Sequence, residues 1–395
     1  MAIAEKAFEK AETFVKQALA HQPTNDHARH LQVVILRKTN RQTEALKQAE
    51  MLLEENPLDH LARAEQYLIT KTEFDKNELK SLVRSELPHE SFIEMALWYR
   101  DFQDNEAALA VLEVAPAHPM VKLWSGKINN NLQQASEALL LSPRLVFPFR
   151  PEEAEVFEWL LSATKATTKL WQLHYYYGIL LWQLNRNQEA QTQFLSCADA
   201  PDYAPFYLAK AELFKGNKAT IQQSLERAYS LEPNNWRAVK ALADFYSENN
   251  LSQKALEINE KAPRTTDHEG YILGQQKAQL LAKLGRDKDC VEFLKTLNLL
   301  PNEGASGTHA LFRTANIRHA IRLLKTNKNN EAMTYLNQAE TWPENLGSGA
   351  PYDPDNRLTA ALKRVASGGK MGDLKAIKKG LSKQDLESLA LFLRK

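Results

Sequence analysis

Apolar residues recur along the chain at helical spacing, in stripes that end at a proline or at a polar turn. Ala11, Val15 and Ala18 precede Pro23, and Ala45, Ala49 and Leu52 precede Pro57, so the arrangement returns after 34 residues. Ala108, Leu112 and Ala115 repeat it, as do Ala190, Phe194 and Cys197. Ile221, Leu225 and Ala228 stand before Pro233, and Ala255, Asn259 and Ala262 before Pro263. Cys290, Leu294 and Leu297 precede Pro301, and Ala332, Leu336 and Ala339 precede Pro343. A step of four and then three places each triplet on one helix face. Small residues at its ends let a neighbouring helix come close, and proline then stops the helix.

Each stripe follows a second apolar helix. The pattern over 171–184 contains Tyr177, Gly178 and Leu181, and that over 236–248 contains Leu242, Ala243 and Tyr246. Polar turns separate the two helices, at Asn185-Arg186-Asn187, Asn249-Asn250, Gly285-Arg286 and Asn327-Lys328-Asn329. This phase of helix, turn, helix and proline resembles the tetratricopeptide repeat (TPR). The resemblance implies an all-α, TPR-like helix-turn-helix superhelical solenoid, with about eight repeats between residues 1 and 345 and a C-terminal helical cap. Units 61–88 and 121–143 keep the pattern only in part.

Two segments break the period. Residues 142–151 hold three prolines around a hydrophobic middle, followed by an acidic-fronted helix over 152–162. We expect an ordered linker there, packed on the repeats and dividing them into two blocks. Residues 341–352 should form a loop leading into a last helix near 355–366. The expected domains are therefore N-terminal repeats (1–141), Pro-rich linker and helix (142–166), C-terminal repeats (167–345), and loop with basic cap (346–395).

Composition sharpens the picture. Only 14 of 395 residues are glycine, which argues against an α/β enzyme with many tight loops. The formal charge is +1, so no general basic field for nucleic acid exists, and nucleic acid is not an expected partner. That total conceals a division: residues 363–395 carry nine basic and three acidic residues, a net +6, leaving −5 for the rest. A solvated basic face on a helical hairpin is the plain expectation, and contact with a polyanion or membrane the sharper one. Cys197 and Cys290 stand at apolar helix positions and suggest no disulfide framework. No stretch has the length of a transmembrane helix, and the start lacks a signal-peptide pattern, so a cytoplasmic setting is expected.

Candidate chemistry is sparse. His27 and His30, three apart on one helix face, could hold a metal, but no carboxylate or cysteine stands at ligand spacing beside them. A solvated surface is the expectation for both. Ser367-Gly368-Gly369-Lys370 lacks the earlier glycine and following hydroxyl of a phosphate loop. Glu54-Glu55 and Glu152-Glu153 are adjacent on helices, point apart, and are expected on a charged solvent face. No catalytic residue, cofactor or metal is assigned, and the chain is expected to have no enzymatic activity.

Longer segments carry a further resemblance. SPRLVFPFRPEEAEVFEWLL (142–161), HYYYGILLWQLNRNQEA (174–190), DAPDYAPFYLAKA (199–211) and the loop Pro343-Glu344-Asn345-Leu346-Gly347-Ser348-Gly349 occur in this order. The order is similar to the C-terminal TPR half of a bacterial family of long multidomain proteins, in which a β-rich, sugar-enzyme-like region precedes the repeats. The resemblance implies that this chain is the C-terminal region of a larger bacterial protein, in a setting of carbohydrate metabolism. It implies an interaction scaffold for a protein or peptide partner, or for the missing N-terminal domain of its own parent protein. An accessory module that orients, oligomerises or binds glycan for a carbohydrate-active enzyme is the alternative.

In TPR proteins the first helix of each unit lines the concave surface through its positions 2, 5, 9 and 12. By that resemblance the partner-binding residues here are Gln172, Tyr175, Ile179 and Trp182, then Tyr203, Phe206 and Lys210, then Arg237, Lys240 and Asp244. Aromatics beside cations would suit a peptide or a glycan, and equally could pack between units. The Lys and Asn set of a carboxylate-clamp TPR is not reproduced across consecutive units.

Overall fold

The computed structural model describes residues 2–164, 170–263, 268–300, 307–372 and 374–394. Every regular element among them is helical. The chain forms two compact units, Met1–Pro201 and Asp202–Lys395.

The first unit opens with helix Phe8–His21 and continues as antiparallel helix pairs. These are Asp26–Lys38 with Gln42–Glu55, His60–Thr70 with Glu73–Leu82, Pro88–Arg100 with Asn105–Val114, Pro119–Ile128 with Leu132–Glu137, and Trp171–Gln183 with Asn187–Ser196. The second unit holds Ala204–Leu213 with Lys218–Leu231, Trp236–Glu248 with Ser252–Lys261, His268–Lys283 with Asp287–Thr296, and Gly307–Lys325 with Asn329–Gln338.

One local device closes every pair. The turn contains a single residue in the left-handed region: Asn40, Lys71, Gln103, Asn130, Asn185, Gly216, Asn250, Gly285 and Asn327 in chain order. Asparagine enters this region at lower cost than most residues, which is how a glycine-poor chain makes so many tight turns. Side chains also satisfy free N–H groups at helix starts, as Asn25 does for Ala28, Asp59 for Ala62 and Asn217 for Thr220.

The stripes read from the sequence become the core. Ala45, Ala49, Ala108, Ala190, Phe194, Ala228, Ala255, Cys290, Leu294, Ala332 and Leu336 are fully buried. Close packing requires glycine at Gly178, where an added Cβ would stand 2.8 Å from Phe194 Cδ2. The exception in composition is Asn259, fully buried, whose amide donates to Leu273 O (3.0 Å) and Gln276 Oε1 (2.8 Å).

An ionic clasp ties three pairs of the first unit together. Arg37 donates through Nε and Nη2 to Glu65 (2.7 and 2.9 Å) and through Nη2 to Asp104 (3.1 Å). Lys38 meets the other Asp104 oxygen at 2.7 Å. Glu65 is fully buried and Asp104 nearly so.

The Pro-rich segment lies inside the first unit, while the two units divide between Pro201 and Asp202. It turns at Arg144-Leu145, where Leu145 is left-handed, with Val146 and Pro148 buried and Leu145, Phe147 and Phe149 exposed. Arg150 is ion-paired with Glu90, and His118 Nε2 donates to Leu145 O at 3.3 Å. Glu153, expected in solvent, is instead 1% exposed and accepts from the N–H groups of Phe149 (2.8 Å) and Arg150 (3.1 Å). Burial pushes its carboxyl up to about 7 against those donors. The cause is its place at a helix start that folds over the returning segment.

At the chain's end, helix Arg357–Ala366 packs on helix Asn329–Gln338, and helix Lys383–Leu393 packs on helix Gly307–Lys325. Arg313 joins Asp385 at 2.5 Å, and Lys363, counted in the basic tail, is neutralised by Glu340 at 2.6 Å. No helix of the described residues is long and apolar enough to cross a membrane.

Candidate functional site

A cleft of about 550 Å³ opens in the second unit between helices Ala204–Leu213, Lys218–Leu231 and Trp236–Glu248. Its floor is apolar: Leu208, Ala211, Ile221, Leu225, Ala241 and Phe245. Leu208, Ile221 and Ala241 are only half-buried, so the floor keeps apolar surface in water. The rim is charged. Lys215 is held by Glu212, while Lys218 and Arg237 have no carboxylate partner among the described residues. Arg237 instead lies over the Trp236 ring at 4.4 Å and is exposed. Asp244 on the far wall is already occupied, by Lys240 (2.6 Å) and by the Gln276 amide (2.6 Å). The cleft thus couples a hydrophobic floor to two available cations, on a rim that also carries Glu248, a carboxylate without a cation partner among the described residues.

The structure sorts the residues assigned by position. Arg237 and Asp244 line the cleft, and Lys240 supports it through Asp244. Phe206 is fully buried, with Lys210 above its ring at 5.9 Å, so it offers no free face to a ligand. Tyr203 is half-buried at the residue before helix Ala204–Leu213. In the first unit Tyr175 is 5% exposed and packs edge-on to Phe194 at 5.7 Å, while Gln172, Ile179 and Trp182 are half-buried.

The misplacement of Phe206 has a geometric cause. Tyr203, Phe206 and Lys210 are positions 2, 5 and 9 of a helix begun at Asp202, but the helix starts at Ala204. Two residues turn a helix by about 200°, which exchanges one face for the other. Numbered from Ala204, positions 5, 9 and 12 become Leu208, Glu212 and Lys215, all of which line the cleft. The signal that would have found them is Pro205, at the first turn of the helix.

The histidine pair separates. His27 is exposed, as expected, but His30 is 8% exposed and donates from Nε2 to Asp59 at 2.7 Å. Asp59 caps the next pair's first helix, so His30 serves a packing joint rather than a solvent face. Among the described residues no group of three or more His, Cys, Asp or Glu is gathered to hold a metal.

No protein-family model matches the sequence, and no curated protein matches it. Solved structures similar to this chain include tetratricopeptide repeat proteins. A tetratricopeptide repeat protein from Parabacteroides merdae is 13% identical over 71% of this chain and 98% of its own, with a TM-score of 0.30. The TPR domain of P58(IPK) is 15% identical over 92% of this chain and 96% of its own, with a TM-score of 0.26. Yeast Tom70 is 14% identical over 93% of this chain and 87% of its own, with a TM-score of 0.30.

Proposed function

We propose that the chain is a protein-binding scaffold whose second-unit cleft takes a short peptide segment, with an apolar side chain on the floor and an acidic residue beside it. The observation that carries this reading is the half-buried floor of Leu208, Ile221 and Ala241 set against Lys218 and Arg237, two cations without carboxylate partners. An apolar anchor supplies affinity by leaving water, and the cations select what stands next to it. The cleft volume of about 550 Å³ falls within the ~300–1,000 Å³ common for ligand sites.

A phage-displayed random dodecapeptide library panned on the full chain tests this. Enriched peptides should pair an apolar residue with Asp or Glu, and should be lost on Ala241→Trp, which fills the floor. Charge reversal at Lys218 and Arg237 should shift enrichment from acidic to basic neighbours. Peptides that bind wild type and both variants equally would place recognition elsewhere and sink the reading.

A further inference from the structure

A cavity of about 410 Å³ opens in the first unit, where helices Asp26–Lys38, His60–Thr70 and Pro88–Arg100 meet. Part of its wall is apolar, from Leu61, Met95 and Trp98. Leu61 and Trp98 are only half-buried, so this wall keeps apolar surface in water. Glu94 and Trp98 stand four residues apart, which sets a carboxylate beside an indole ring on one helix face. Asp26 joins them from the start of the earliest of the three helices.

Charge in this cavity is one-sided. Glu94 is exposed and has no cation partner among the described residues. The Asp26 side chain is 73% exposed, and Arg29, 3.5 Å from it, is held by Glu55 through bonds of 2.6 and 2.7 Å. Asp59 is answered by His30 at 2.7 Å. Burial holds the His60 ring below its ordinary 6.5, so it adds no charge at neutral pH. Among the described residues no lysine or arginine lines the cavity, and no set of ligands is gathered for a metal ion. Two open carboxylates beside an aromatic ring are the complement of an organic cation.

We propose that this cavity takes an arginine side chain presented by a protein partner, its guanidinium against Trp98 and paired with Glu94, with Asp26 as the second counter-charge. Arginine suits the site better than lysine, because a planar guanidinium stacks on an indole while its edge donates two parallel bonds to a carboxylate. A lysine ammonium is a compact, strongly hydrated charge and gains less from the ring. Leu61 offers apolar surface to the methylene stem. The site belongs to the first unit and does not rest on the peptide cleft of the second.

The probe is N-acetyl-L-arginine amide, titrated into the full chain labelled with fluorotryptophan and followed by fluorine NMR, the Trp98 resonance being assigned from Trp98→Phe. The citrulline derivative keeps the shape without the charge, and the lysine derivative keeps the charge without the plane. The arginine probe should shift the Trp98 resonance saturably at millimolar concentration, and the citrulline probe should bind roughly 10-fold more weakly. Glu94→Gln, at an exposed position, should weaken the arginine probe by a similar factor while leaving the circular dichroism spectrum unchanged. Ala241→Trp, which fills the other cleft, should leave the titration as in wild type. A Trp98 resonance that does not move with the arginine probe overturns the proposal. So does equal affinity for the citrulline or lysine probe, unchanged affinity in Glu94→Gln, or loss of binding in Ala241→Trp.

Discussion

Replacing Arg37 by Met tests the ionic clasp, because Met keeps an apolar stem and removes only the charge and its donors. The change leaves Glu65, fully buried, without the two bonds at 2.7 and 2.9 Å that compensate its desolvation. Asp104 suffers less, since Lys38 still meets it at 2.7 Å. Removing one partner of a buried pair costs about 3–5 kcal/mol, most of it the charge left behind. For a unit of this size that corresponds to a fall in Tm of roughly 6–20 °C. Replacing Glu65 by Leu as well removes the stranded charge, so the double variant should be more stable than the single one. Urea and thermal unfolding followed by circular dichroism would measure all three proteins. The reasoning fails if Arg37→Met costs less than ~1 kcal/mol, or if the double variant is no better than the single. Acid provides a second reading. Burial opposes the charge of Asp104, but Lys38 and Arg37 outweigh it and hold the carboxyl below its ordinary 3.8. Its contribution is thus complete at neutral pH and is lost only as pH falls below that value.

Two buried groups near the Pro-rich segment should give stability slopes of opposite sign. His118, stacked on His89 at 3.4 Å, is depressed to about 4 by burial and by that neighbour, so stability falls as pH drops from 6.5 toward 4. Glu153, raised to about 7 by burial, stays protonated in the fold where the unfolded chain ionises, so stability falls as pH rises from 4.5 to 7. Urea titrations across this range should show Glu153→Gln more stable at pH 6.5 than at pH 4.5, and His118→Gln the reverse; parallel slopes would refute both assignments. Gly178→Ala, placing Cβ 2.8 Å from Phe194, should cost ~1–3 kcal/mol in the same assay. Gly349→Ala, which meets nothing within 4 Å, should stay within ~0.5 kcal/mol, and equal losses at the two sites would discount the packing argument.

The helix pairs were legible because each carries its own small-residue stripe and turn, all within one short stretch of sequence. What was illegible depends on residues far apart. Nothing in the local sequence marks Glu65 or Asp104, and only the fold brings Arg37 to them from 28 and 67 positions away. Glu153 is hidden for the same reason, since a returning loop rather than its own helix covers it. In the cleft, Arg237 and Asp244 followed from helix position, but Leu208 and Ile221 read as core like any apolar residue on a helix. In the preceding helix a start two residues later than the repeat phase suggests turns Phe206 inward.

The left-handed residue that closes each helix pair also bears on how the chain is made. A short turn fixes which two helices meet, so much of each pair's packing joins residues near in sequence, and chains rich in local contacts fold quickly. A pair can therefore close as soon as its own residues leave the ribosome, before the rest of its unit exists. The clasp of Arg37 follows a different schedule. Its two carboxylates emerge one after the other, Glu65 early and Asp104 only with the third complete pair. During synthesis the first unit thus gains hairpins one at a time, joins the first two through Glu65, and clasps the third to them only when Asp104 arrives.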